Sequence, residues 1–175
     1  MKKVFMMAIM AIVAISASAQ AYVGGSIGFT NVKVDGHDDS QNTLTIAPEV
    51  GYTLSDDWAI GAALGFTYYK EGDASVTAFE VSPYVRYTAI HADRVNFFLD
   101  GVVNFNTAKP KGGDAQNGWG IGIKPGVAFK VNDNVSLVAH VGFLGYEDSQ
   151  KFNGKKTFGL GLDGNDISLG FYYNF

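Results

Sequence analysis

The chain contains no cysteine. That excludes a disulfide framework, a thiolate metal site and a cysteine nucleophile. It has no basic excess either: the net charge is −4, and no stripe of lysine and arginine offers itself to a nucleic-acid backbone. Beyond the first residues there is no long apolar run, and the mean hydropathy of +0.06 is far below that of a helical membrane protein. Proline is scarce, at four residues. The 175 residues fit one domain.

The amino terminus reads as an address. Lys2 and Lys3 are followed by an apolar stretch from Val4 to Ile15, then by the small-x-small pattern Ala17-Ser18-Ala19. The apolar stretch is too short for the ~20 residues of a spanning helix. Residues 1–19 are therefore expected to be a removable signal peptide, leaving 20–175 as the folded domain.

What the chain does have is alternation. Leu44, Ile46, Pro48, Val50, Tyr52 and Leu54 share one face, while Thr43, Thr45, Ala47, Glu49, Gly51 and Thr53 share the other. This period of two is that of a β-strand, sustained over a length that would cross a bilayer when tilted. The pattern recurs over 23–29, 58–68, 78–87, 95–105, 118–131, 135–143 and 167–175. Eight segments, an even number, predict an all-β fold: an eight-stranded antiparallel up-and-down transmembrane β-barrel. Three segments repeat a Pro-x-Val-x-aromatic frame, at Pro48, Pro83 and Pro125 (the third with Phe129), each shortly before an Asp-containing turn. Three equivalent prolines predict a repeated bulge or bend. The turns at 55–57, 91–93 and 132–134 are short, and alternate with longer polar loops at 32–42, 70–74, 107–117 and 148–166.

Alternation does not by itself say which face is wet. A secreted barrel would turn its apolar face inward. Here the other face is mostly Gly, Ala, Ser and Thr, not the Lys/Glu-rich surface of a soluble barrel. Aromatics also gather at both ends of the apolar face. Tyr52, Trp58, Tyr87, Phe97, Phe129, Tyr173 and Phe175 lie near the short turns. Phe29, Phe66, Tyr68, Phe79, Phe105, Trp119 and Phe143 lie near the long loops. Two belts match two membrane interfaces, so the apolar face points to lipid.

The whole pattern, with the alternating end Leu169-Gly170-Phe171-Tyr172-Tyr173-Asn174-Phe175, resembles the OmpX/OmpA-type and opacity-type small outer-membrane barrels. The resemblance implies export to the outer membrane of a Gram-negative bacterium, with short turns in the periplasm and long loops outside. It implies contact with outer-membrane lipid and lipopolysaccharide, and recognition by the insertion machinery through the terminal Phe175. It carries no catalytic motif and predicts activity poorly.

The inward face holds the charges Glu49, Glu80, Arg86, Asp100, Lys124 and His140, with Lys130 near one end. Arg86 and Asp100 flank the turn at 92–93 almost symmetrically, so they should be opposite or one step diagonal on neighbouring strands. Glu49, Glu80 and Lys124 would extend that pair into a lumen charge network. Charges in a narrow lumen must pair or be hydrated. The expectation is a non-enzymatic surface or structural barrel with a side-chain-filled lumen; the alternative is a narrow low-conductance channel gated by those charges.

No catalytic, cofactor or metal site is expected. His140 is the one strand histidine, and Ser136 on its face lies about 13 Å away along a strand at ~3.3 Å per residue, beyond proton-transfer reach. His37 with Asp35, Asp38 and Asp39 is a solvated loop cluster with too few fixed ligands for a hard cation. Gly118-x-Gly120-x-Gly122 lies in a strand pattern, points inward and should pack against a large neighbour such as Tyr84 or Phe98. The stretch Lys109-Pro110-Lys111-Gly112-Gly113 is read first as turn chemistry with modest charge, with contact to lipopolysaccharide phosphates the lesser reading, and the loops 32–42, 107–117 and 148–166 are where an extracellular partner would dock.

Overall fold

Alternation of this length has one stable use in lipid, a sheet closed on itself with no free edge. The computed structural model describes residues 20–33, 40–149, 155–161 and 167–175. It contains ten strands: β1 (Ala21–Lys33), β2 (Ser40–Thr53), β3 (Trp58–Glu71), β4 (Ala74–His91), β5 (Val95–Pro110), β6 (Gln116–Lys130), β7 (Val135–Val141), β8 (Phe143–Ser149), β9 (Lys155–Gly161) and β10 (Ile167–Asn174). Every pairing is antiparallel. β7 and β8 both pair with β6 and are two halves of one stave. β10 pairs with β7, and β9 with β8, making the last stave. With β1 joined to β10, the result is a closed barrel of eight staves, and no helix occurs among the described residues.

The faces are sorted as lipid requires. Phe105 is 55% exposed on the outer surface, while its neighbour Asn104 is 3% exposed in the lumen. Such polar-in, apolar-out sorting is the inverse of a soluble barrel. On the outer surface Phe66 stands opposite Phe79 and Phe105 opposite Trp119 at the loop end. Trp58 and Tyr87 stand opposite each other at the turn end, with rings 4.9 Å apart.

Three expectations need correction. The first concerns the loops. β5 and β6 stay paired as far as Ala108 and Gln116, and β3 and β4 as far as Glu71 and Ala74, so the polar stretches at 107–117 and 70–74 are largely strand. Within 148–166, Lys155–Gly161 is strand, paired with β8 from Phe143 to Ser149. Polar composition does not stop a ladder, because strands projecting beyond the bilayer can be wet on both faces. Residues 34–39, 150–154 and 162–166, with the His37 cluster and the expected signal peptide, lie outside the described residues.

The second concerns the prolines. Pairing between β2 and β3 is interrupted at Ala47 and Pro48, and between β4 and β5 at Ser82 and Pro83, yet the register is the same on either side. At these two the missing amide removes a rung without inserting a residue, whereas Pro125 stays paired with β5 and faces a bulge on its other side. The shift in β4 lies elsewhere, between Thr88 and Ile90.

The third concerns Phe143. Between the pairs Gly126–His140 and Ile123–Leu144, the β7–β8 stave carries one extra residue, so opposite Pro125 there is a bulge. Gly142 sits at it with φ of 74°. The extra residue resets the alternation and turns Phe143 inward, where its ring covers Gly122. Tyr146 stands beside Trp119 in the outer belt instead, with rings 5.6 Å apart. Gly142→Ala is expected to cost about 1–2 kcal/mol, the penalty for an L-residue in a left-handed backbone, measured by urea unfolding of vesicle-refolded protein. An unchanged midpoint would remove the bulge's dependence on glycine.

Candidate functional site

The register puts Arg86 of β4 directly opposite Asp100 of β5. Both are almost fully buried. The guanidinium grips the carboxylate with two bonds, Nε to Oδ1 and Nη2 to Oδ2, each 2.7 Å. This fork is the strong geometry for an arginine–carboxylate pair. Nη2 also donates to the Tyr172 hydroxyl at 3.0 Å and lies 3.5 Å from Oε1 of Glu49. Glu49 accepts from Tyr172 at 2.7 Å and from the Tyr84 hydroxyl. With its own proton given to Glu49, Tyr84 takes one from Tyr22. His140 Nε2 meets the second oxygen of Asp100 at 3.0 Å. Phe98 closes the cluster. The guanidinium carbon lies 3.9 Å from the centre of its ring, and the ring meets the His140 imidazole edge-on.

Glycines make room for these rings. Tyr22 faces Gly51, Tyr84 faces Gly61, Phe98 faces Gly126 and Tyr172 faces Gly24, each directly across a neighbouring strand. A Cβ at any of the four would overlap the ring it faces. A narrow lumen has space for a large side chain on one stave only where the next has none.

The cluster divides the lumen. Toward the turn end is a cavity of about 690 Å³, lined by Tyr22, Asp57, Arg86, Asn96, Ser136 and Tyr172 among others. Toward the loop end is one of about 330 Å³, lined by Glu49, Glu80, Asp100, Asn104, Lys124 and His140 among others. Between them lies a plug built from β1, β2, β4, β5, β7 and β10.

Of the residues expected to interact, Glu49, Arg86, Asp100 and His140 come together in the plug. Glu80 and Lys124 do not join it. Glu80 accepts from Ser82 at 2.5 Å, and Lys124, although opposite Asp100 in register, holds its ammonium 5.9 Å from the Phe143 ring. Lys130 is exposed beside the turn-end cavity. Ser136 lines the turn-end cavity and His140 the loop-end one, so they form no serine–histidine couple. The expected seat of Tyr84 or Phe98 over Gly118–Gly122 is also corrected. Gly118 faces Asn106 and Gly122 faces Phe143, because the bulge supplies a nearer ring. No cluster among the described residues could hold a metal ion.

Sequence reasoning missed the tyrosine hydroxyls. Tyr22 and Tyr172 each alternate with outward residues, which was the available signal, but tyrosine in a strand reads first as a belt residue.

A family model described as the outer membrane protein beta-barrel domain matches residues 4–175. Neisserial surface protein A has a similar structure at 21% identity and a TM-score of 0.60, covering 90% of this chain and 98% of that one. The outer membrane protein OprG from Pseudomonas aeruginosa is similar at 12% identity and a TM-score of 0.55, covering 89% and 96%. No curated protein matches the sequence.

Proposed function

The chain belongs to the outer membrane β-barrel family, resident in the Gram-negative outer membrane, and on that premise we propose that it is a non-enzymatic surface and structural barrel with a sealed lumen. The observation that carries this reading is the plug. Its charges are satisfied by one another, and it stands between two cavities that would otherwise be one channel. A lumen filled in this way stiffens the wall and leaves recognition to what projects from the membrane. Lipid covers the apolar band. Lys109 and Lys111, at the β5–β6 turn, suit lipopolysaccharide phosphates, and Phe175 suits the insertion machinery. An extracellular partner would meet the projecting ends of β1–β2, β5–β6 and β8–β9.

A second reading is a narrow channel, favoured by the open cavities on both sides of the plug. Single-channel recording on refolded protein in a planar bilayer separates the two. The sealed barrel is expected to be silent when spectroscopy shows it folded and inserted. Reproducible small steps, altered in Glu49→Gln, would assign it to the channels instead.

A further inference from the structure

Each of the two lumen cavities carries a buried acceptor that no described residue serves. Oδ1 of Asn96 is on the turn side of the plug and Oδ1 of Asn104 on the loop side. Acceptors of this kind are satisfied by water where a cavity is polar and roomy enough. Thr53 and Ser136 on one side, and Thr45 and Glu80 on the other, supply that polarity. Water therefore reaches the plug from both ends of the barrel, and the plug alone parts the two bodies of it.

The hydroxyls of the plug are ordered across this partition. Tyr22 borders the turn-end cavity and gives its proton to Tyr84, which gives its own to Oε1 of Glu49. Glu49 borders the loop-end cavity, and its Oε2 accepts no bond from a described residue. The Tyr22 oxygen keeps a lone pair for a donor from its own cavity. Hydroxyl, hydroxyl and carboxylate make a run of groups that can each take up one proton and release another. The neighbouring path lacks this property. Tyr172 also donates to Glu49, but its oxygen accepts from Arg86, and beyond Arg86 lie Asp100 and His140. A guanidinium does not give up its protons, so that path stops at Arg86. The fixed charge of Arg86 would oppose a passing proton if it stood alone. Asp100 and Glu49 offset it.

We propose that Tyr22, Tyr84 and Glu49 form a relay that passes protons, and no other ion, through the sealed lumen. In one turnover a proton from water in the turn-end cavity bonds to the Tyr22 oxygen. The former Tyr22 proton moves to Tyr84, and that of Tyr84 moves to Oε1 of Glu49. The neutral carboxyl turns about its soft terminal torsion and releases the proton to water in the loop-end cavity. Both hydroxyls then rotate back. One proton has crossed, no electron has moved and no residue is changed; a reversed gradient runs the steps backwards. The relay rests on the sealed-lumen reading, because an open pore would make it superfluous.

The test uses the refolded chain in phosphatidylcholine vesicles that hold the pH dye pyranine and potassium, with valinomycin to balance charge. After an external acid pulse, the parent is expected to acidify the interior faster than protein-free vesicles do. Without valinomycin that excess should vanish, since the lumen passes no compensating potassium. Tyr22→Phe keeps the ring and removes the first hydroxyl. It should cut the excess about a hundredfold, the lower end of what a positioned proton carrier contributes. Tyr84→Phe should do the same, and serves if Tyr22→Phe fails to fold by circular dichroism. Tyr172→Phe is the control. It removes two hydrogen bonds from the same cluster, yet lies off the relay and should keep most of the excess. A parent no faster than protein-free vesicles overturns the relay and leaves the sealed lumen standing. So does an excess that Tyr172→Phe abolishes and the other two variants leave intact. An excess that persists without valinomycin overturns both, because potassium is then passing too.

Discussion

Arg86→Ala is expected to lower the unfolding free energy by about 3–5 kcal/mol, the usual cost of removing one partner from a buried ion pair. Urea titration of vesicle-refolded protein, followed by tryptophan fluorescence, gives the value. The size follows from what is left behind. Asp100 loses both bonds of the fork and keeps only His140, while Glu49 keeps two tyrosines but loses the nearby positive charge. Both carboxylates are then in a lumen that the tyrosine rings keep narrow. Lys130→Ala provides the contrast. Its side chain is exposed at the cavity mouth, and its loss should stay within about 0.5 kcal/mol. Arg86→Leu with Asp100→Leu should regain part of the loss, because an apolar pair demands no solvation. The recovery is incomplete, since Glu49 still lacks its cation. Equal midpoints for Arg86→Ala and Lys130→Ala would refute a structural role for the plug.

Phe98→Ala should cost a comparable amount, about 3–5 kcal/mol by analogy with other buried aromatic truncations. The ring is 3% exposed and fills the notch left by Gly126, with the guanidinium on its face and His140 at its edge. Its removal opens the partition between the two cavities as well as destabilising it. Phe98→Ala is therefore the variant expected to conduct where the parent is silent, and Phe98→Leu should be intermediate in stability and remain closed. If Phe98→Ala unfolds with the parent's free energy and stays silent, the partition is held by the tyrosines alone.

The arrangement of staves and the side of the wall that meets lipid were legible because both follow from a period of two, which the backbone imposes on every residue. Arg86 and Asp100 were legible for the same reason: equal distances from a turn place them face to face. What the sequence concealed were interruptions of that period. One glycine at 142 looks like any other strand glycine, yet it shifts the alternation of β8 and sends Phe143 inward. The lengths of the hairpins were hidden because Lys155–Gly161 reads as a polar loop, although hydrogen bonding to β8 needs no apolar face. Tyr22, Tyr84 and Tyr172 escaped notice as a group because they come from distant parts of the chain. Each hydroxyl finds its role only from partners that closure supplies.

That distance has a consequence for how the molecule is made. Tyr172 and Glu49 are 123 residues apart, Arg86 and Tyr172 86, Tyr22 and Tyr84 62. Contacts of such separation form late, after most of the chain's loop entropy has been spent. Until the first stave meets the last, neither Tyr22 nor Tyr172 is in place, and Arg86 and Glu49 sit in a half-formed trough that water can fill. Completion of the wall and expulsion of that water are then one event. A nascent barrel passes into the bilayer with its central cluster still wet, and the last stave to arrive brings the hydroxyl that completes it.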